Sequence, residues 1–384
     1  MSLGEPEPQR EPWLAEDAFE RGILGRFDFE DIIFVPVLAV VLALVLGGVV
    51  MLATGVDLPT IGEAYSALFM GSFGSVSALS ETLTSAAPVT LAALGIALGF
   101  RAGLFNIGAE GQVLFGGMAS VAVGFAVTGM PIWIHLPLAL AAGALAGAIW
   151  SAVAGWLKAA TGAHEVITTI MLNMIAMELT GFLLRNPPIQ KPGRPDPISQ
   201  SVLDSAMLPK LLTWYNPGLR LNAGILIALV MVVLVYWLLF RTTLGFEFRA
   251  SGLNPFAARY AGMRSSLIIV VVMAIAGALA GLAGSTLVLG VLGRASPGFS
   301  AGVGFNAIAV ALLGRSHPVG VLLAGILFGA LDAGGRQMQV AAGVRIDLIS
   351  IVQSLIIVFV AAPLLMRAIF PWAFGHRKAA GSAG

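Results

Sequence analysis

Residues 32–52 run for 21 positions without a single charged side chain, and long apolar runs, four of them with one acid each, return along the whole chain. At about 1.5 Å per helical residue, such a run covers the ~30 Å hydrocarbon core of a bilayer. The later runs are residues 83–100, 104–127, 132–157, 166–184, 222–240, 266–290, 318–333 and 347–366. Residues 302–313 are apolar too, but about 12 residues cannot cross alone. They make either a short crossing buried among other helices or a re-entrant segment. The pattern predicts an all-α polytopic membrane protein with about ten transmembrane helices, one of them short or re-entrant. Composition agrees: 58% of residues are hydrophobic and only 11% charged. A net charge of +1 argues against a nucleic-acid partner. With no cysteine, and four histidines far apart, no metal site is expected.

The rest of the chain is organised by its polar interruptions. Residues 1–30 form a Pro/Glu-rich tail with no cleavable signal pattern, 31–370 the transmembrane domain and 371–384 a basic tail. Residues 185–221 are rich in turn signals (Asn186-Pro-Pro, Lys191-Pro-Gly, Asn216-Pro-Gly) and read as an extramembrane loop. Ten crossings put both termini on one side. Lys and Arg in alternate loops then divide as 13 on the side of the termini and 8 on the other. The positive-inside rule places the termini in the cytoplasm and 185–221 outside. Residues 57–80 read as a Gly/Ser-rich connection. Four Gly-x-x-x-Gly spacings (95/99, 143/147, 277/281, 325/329) mark faces where helices approach closely.

Two polar clusters fall at membrane level. The first is residues 100–112, with Phe105, Asn106, Glu110 and Gln112. Asn106 and Glu110 are four apart and are expected on one helix face. Polar groups at this depth line a pathway or break a helix, or Glu110 forms a structural pair with an arginine such as Arg101. The second is residues 161–173, where Thr169 and Asn173 share a face and His164 and Glu165 begin a helix. Glu178 lies beyond. Asp332 and Gln353 read as structural.

Residues 241–264 interrupt the apolar runs with four arginines and one acid, Glu247. Asn254 is a good N-cap, Pro255 suits the first helical position and Gly262 a helix end. The predicted helix of about two turns is too short for a domain but offers a surface, with Arg249, Phe256 and Arg259, that another protein could hold. Its plain alternative is a solvated basic loop. There is no Gly-Lys dipeptide, hence no phosphate-binding P-loop, and no convergent acid–base or metal set. The chain is not expected to be an enzyme. If it transports against a gradient, the energy comes from an ion gradient or another subunit.

Three stretches resemble one family. Gly103-Leu-Phe-Asn-Ile-Gly-Ala-Glu-Gly-Gln112, residues 243–262 and Gly304-Phe-Asn-Ala-Ile-Ala-Val-Ala-Leu-Leu-Gly-Arg-Ser-His-Pro-Val-Gly320 are similar to motifs of ABC importer permeases in the ribose/branched-chain-amino-acid superfamily. The nearest likeness is to the branch for nucleosides or simple sugars. The resemblance implies a ten-helix permease built from inverted repeats, without its own ATPase. It implies an ATP-binding cassette subunit carrying ATP and Mg, a second and different permease chain, and an extracytoplasmic substrate-binding lipoprotein. It makes Arg249, Asn254, Pro255, Phe256 and Arg259 the coupling segment, and Phe105, Asn106, Glu110, Gln112, Thr169 and Asn173 pathway residues. The location implied is the cell (inner) membrane. At residues 314–316 the chain has Gly-Arg-Ser where the family pattern leads one to expect a second glycine. The competing class is an ion-coupled secondary transporter, for which Glu110, Glu178 and Asp332 are the candidate titratable groups.

Overall fold

The structure, a computed structural model, describes residues 29–361. The expected tails lie outside the described residues, save Phe29 and Glu30. The helices are α1 (Phe29–Ala53), α2 (Leu58–Phe73), α3 (Val76–Arg101), α4 (Ala109–Ala126), α5 (Ile132–Thr161), α6 (Glu165–Leu184) and α7 (Gly224–Arg241). They continue with α8 (Thr243–Leu253), α9 (Pro255–Tyr260), α10 (Ser265–Leu287, prolonged by a π turn), α11 (Val303–Leu313), α12 (Pro318–Ala342) and α13 (Ile346–Ala361). Seven of them, α3, α4, α5, α6, α7, α10 and α12, are long and apolar enough to cross a membrane. The described residues divide into two compact units, 50–353 and 29–49 taken with 354–361. The described part of the second unit is helical; everything below concerns the first.

α3 is the axle. Its side chains from Ala86 to Gly99 are all buried, against α10, α11, α12 and α7. Ser75 caps it, its hydroxyl accepting from the Ala78 amide at 3.0 Å. The paired glycines expected from sequence meet one another. A β-carbon on Gly281 of α10 would strike the Gly143 carbonyl of α5, and one on Gly277 would strike that of Gly147. Gly325 and Gly329 of α12 press in the same way on Thr90 and Thr82 of α3. Lipid tails offer helices no hydrophobic gain on association, so contact this close is what holds them.

Four readings are corrected. Residues 57–80 are no loose connection: α2 buries Ile61, Ala64 and Ala67, and its Gly71 lies against Gln337 and Gly334 of α12. Its small residues are packing contacts rather than turn signals. The run 104–127 does not begin as helix, because Gly103 (φ +72°) and an Asn106 turn delay α4 to Ala109. Asn106 and Glu110 therefore do not share a helix face. Residues 243–253 form a second helix in the basic island, capped when Thr242 Oγ1 accepts from the Gly245 amide at 3.1 Å. The helix from 318 runs on to Ala342, since Asp332 and Arg336 pair four residues apart at 2.6 Å instead of ending it.

The loop 185–221 is extensively tied to its surroundings. The Ser199 amide donates to Ala295, the Val202 amide to Gly293 and the Leu208 amide to Leu289, each at 2.9 Å. Val202, Ala206 and Leu208 join a buried cluster with Val288 and Phe299. Charge is segregated along α3. Near its start Glu81 meets Arg220 at 3.3 Å and Arg336 at 3.5 Å. At its end, about 30 Å away, stand Arg101 and the basic island.

Replacing Gly281 by Val drives a side chain into the Gly143 backbone, and overpacking of this kind costs about 1–3 kcal/mol. Detergent-solubilised G281V is expected to melt several degrees below wild type in a fluorescence size-exclusion assay, whereas G181A, with nothing within 4 Å of the added carbon, melts as wild type.

Candidate functional site

The gap between α3 and α4 poses the central chemical problem of the fold. Residues 102–108 are non-helical backbone in the middle of a helical bundle, and buried amides without partners are costly. α6 supplies the answer from one face, with Glu165, Thr169 and Asn173 spaced four apart. Glu165 Oε1 accepts from the Phe105 amide (3.4 Å), Thr169 Oγ1 from Ile107 (3.3 Å) and Asn173 Oδ1 from Gly111 (2.8 Å). Asn173 also donates to the Ile107 carbonyl at 2.8 Å. Asn106 Oδ1 accepts from the Gly108 amide at 2.8 Å, and its amide pairs with that of Gln112, which reaches Ser151 of α5 at 3.1 Å. Lys158 neutralises Glu165.

Glu110 carries the next link. α11 is only 11 residues, about 16 Å, and opens on Gly302 (φ +74°), which has no side chain to cap it. The Glu110 carboxylate, 5% exposed, does so from α4: Oε2 accepts from the Gly304 amide at 2.8 Å and Oε1 from the Ser300 hydroxyl. A negative group at a helix N-terminus is favoured by both orphan amides and dipole. Glu110 is thus paired with a helix start and not with an arginine. Ser300 bears no sequence signal for this. Gly298-Phe-Ser300-Ala-Gly302 has the spelling of a hydrolase nucleophile elbow, yet no strand precedes it among the described residues.

The far end of α11 is held as well. Arg101 Nε donates to the Ser316 carbonyl at 3.0 Å, so residues 101–110 clasp the short helix at both ends. Arg315 (φ +52°) and Ser316 (φ +51°) both occupy the left-handed region. That is where the expected glycine would have sat comfortably. Arg101 also stands 5.7 Å from the Phe240 ring, and Arg249 of α8 stands 5.4 Å from the same ring. His317 packs on Phe240 and Tyr236; burial and then the Arg101 charge hold its imidazole below the usual value. Gly252 of α8 lies against the backbone of Arg101 and Gly103.

The island ends in a capped helix, as expected. Asn254 Oδ1 accepts from the Phe256 and Ala257 amides, each at 3.0 Å, with Pro255 at the first position and Gly262 (φ +85°) beyond the end. Phe256 is 75% exposed, beside Leu253 at 89% and Tyr260 at 95%. Sequence reasoning does not single out Leu253 and Tyr260, because their exposure depends on how α8 and α9 pack. Among the described residues, Arg241, Arg249, Arg259 and Arg264 have no carboxylate partner. The structure thus places the expected site residues in two groups. Asn106, Glu110, Gln112, Thr169 and Asn173 are joined and buried, with Phe105 half-exposed at their edge. Asn254, Pro255, Phe256 and Arg259 are on an exposed end, with Arg249 between the two groups.

A multi-pass bundle with broken and short helices tied at membrane level, and a basic, aromatic helix at one end, is the form of a membrane transport subunit. Residues 78–361 match the family model described as branched-chain amino acid transport system / permease component, and the chain belongs to that family. It is 41% identical over 336 residues to the guanosine ABC transporter permease protein NupP of Bacillus subtilis, covering 87% of this chain and 94% of that one. It is 40% identical to the glucose ABC transporter permease protein TsgB13 of Haloferax volcanii (84% and 86% covered), and 35% identical to the nucleoside ABC transporter permease protein NupB of Lactococcus lactis (88% and 93%). No solved structure matches. The chain is a permease subunit of the ABC transporter class, not an enzyme.

Relief of one left-handed residue is worth about 1 kcal/mol. R315G is therefore expected to raise the melting temperature by a few degrees in the size-exclusion assay; an unchanged or lower value would show that Arg315 makes a compensating contact.

Proposed function

We propose that this permease moves nucleosides or simple sugars inward across the cell (inner) membrane by alternating access, driven by ATP hydrolysis on a partner. The substrate class rests on the relatives, two of them permeases for nucleosides and one for glucose. The coupling role rests on one observation: Leu253, Phe256 and Tyr260 are exposed beside arginines that have no carboxylate partner among the described residues. Exposed aromatics and arginine on a short rigid helix have the composition of an interface hot spot. An ATP-binding cassette subunit, holding ATP and Mg, docks there on Arg249, Asn254, Pro255, Phe256 and Arg259. A second, different permease chain and an extracytoplasmic binding lipoprotein complete the importer.

In this reading both termini, with the tails 1–30 and 371–384, are cytoplasmic, as is the 241–264 coupling loop. Residues 185–221 face outward. The charge division along α3 supports this, since Arg101, Arg249 and Lys158 gather at the island end and Arg220 and Arg336 at the other. The count is ten crossings, with spans two to five and seven to ten as inverted repeats. The helix neighbours support the repeat: exchanging the halves turns the α5–α10 contact into α12–α3, α4–α10 into α11–α3, and α4–α5 into α11–α12. All of these contacts occur. The repeat also pairs α4, whose start is broken, with α11, which is short, and interrupted segments in matching positions point to the transport site. Phe105, Asn106, Glu110, Gln112, Thr169 and Asn173 frame the pathway by holding α4, α6 and α11 together.

Reversing the charge in Arg259→Glu, or removing the cap in Asn254→Ala, is expected to leave the permease folded and inserted. Uptake falls at least ~10-fold, while the partner's ATP hydrolysis no longer responds to the binding protein. Normal uptake in both variants would remove the coupling assignment.

A further inference from the structure

Two of the outward faces of this bundle differ in a way that assigns them different surroundings. α5 is 22% buried over its span and exposes Trp133, Ile134, Leu145, Ile149 and Trp156. Its two tryptophans are about 34 Å apart along the axis, the spacing of the two interfacial belts of a bilayer, with no charge between them on that face. This is a lipid-facing helix. α6 is equally exposed, 22% buried over its span, but has no tryptophan or tyrosine. Its outer face carries Met171, Met174 and Met177, and a shallow groove of Met174, Ile175, Glu178, Leu179 and Phe182. Glu178 lies about 20 Å along the axis from Glu165 and about 9 Å before Leu184, well inside the hydrocarbon thickness. It is exposed, and it has no hydrogen bond or ion pair among the described residues. A carboxylate facing lipid at that depth is strongly disfavoured, and ionisable groups there face a water-filled cavity.

We propose that the Glu178–Phe182 face of α6 lines the aqueous pathway and is a contact site for a polar, hydroxyl-bearing solute. The site rests on the transport reading above and names a residue that acts within it. A carboxylate is an acceptor only, suited to a pair of neighbouring hydroxyls or an exocyclic amine. Phe182, one turn on, offers an apolar face to the ring that bears them. The methionines adapt to different ring shapes without a rigid pocket, which suits a permease whose affinity is supplied by a separate binding protein. The position also gives the buried side of α6 its purpose. Glu165, Thr169 and Asn173 fix that side to the 105–111 backbone, so a shift of the α4 corner moves the Glu178 face with it.

The chain has no cysteine, so single-cysteine variants are unambiguous reporters. In membranes containing the assembled transporter, Glu178→Cys is expected to react with a charged, water-soluble methanethiosulfonate, and Ile149→Cys on α5 is not. Labelling of Glu178→Cys no faster than Ile149→Cys overturns the assignment, whatever the complex carries. So does labelling of the lone permease that vanishes on assembly, which would make this face a subunit interface. A transporter that takes up neither guanosine nor glucose, while Glu178→Cys still labels, contradicts the substrate reading and leaves this one standing. In uptake, Glu178→Gln is expected to lower the maximal rate for guanosine about 10-fold or more, with the KM still set by the binding protein, and to shrink the preference for guanosine over 2′,3′-dideoxyguanosine. An unchanged preference removes Glu178 from contact with the hydroxyls.

Discussion

A helix that starts or stops at membrane depth leaves amides that water cannot reach. α4 and α11 both do so, and much else in the fold follows from how their ends are satisfied. Glu110 caps α11 from α4, and α6 dedicates three side chains four residues apart to the backbone leading into α4. Each solution also ties two helices together. The polar cluster is thus a joint first, and its buried side chains spend their hydrogen bonds on backbone rather than on an open cavity. Removing any one of them strands a partner in a dry environment, which costs more than the bond itself contributes.

The joint is continuous with the basic end of the molecule. α8 rests through Gly252 on the backbone of Arg101 and Gly103; Arg101 holds the exit of α11, and residues 101–110 hold both its ends. A push on the exposed α9 surface has a short path of packed backbone to α11, then to Glu110 and α6. The two guanidiniums that share Phe240 bring like charges together at the start of that path, where an incoming carboxylate from a partner would be favoured. The left-handed Arg315 and Ser316 lie at the same junction, and backbone strain of this kind is typical of segments that switch.

Much of this was legible in the sequence. The apolar runs located the long helices, because length and absence of charge are all a bilayer asks. The Gly-x-x-x-Gly pairs marked close-packing faces, and the structure uses them at the α5–α10 and α12–α3 crossings. Asn254-Pro255 gave a helix start that the structure has to the residue. The failures share a cause. α2 is rich in Gly and Ser and reads as a connection, and α8 reads only as part of the basic island, but their small residues are contacts with neighbours that one sequence cannot name. The residues flanking Asn106 look like helix in a hydropathy window, whereas Gly103 and the Asn106 turn break it locally. Glu110 was singled out correctly as unusual, but its partner lies nearly two hundred residues away in Ser300 and Gly304, beyond any local pattern. Glu178 was visible as a charge, and only its exposure on an otherwise apolar face gave it a role.

The central claim is that a partner's ATP hydrolysis, received at α8 and α9, drives transport through this bundle. The most direct measurement is uptake of labelled guanosine, adenosine and ribose by cells expressing the complete transporter. It is made with a proton uncoupler and, separately, with the ATPase subunit lacking its P-loop lysine. The account predicts uptake that persists with the uncoupler and stops with the ATPase variant. Uptake that survives the ATPase variant and collapses with the uncoupler would contradict it, and would make the chain an ion-coupled carrier with Glu110, Glu178 and Asp332 as its proton sites.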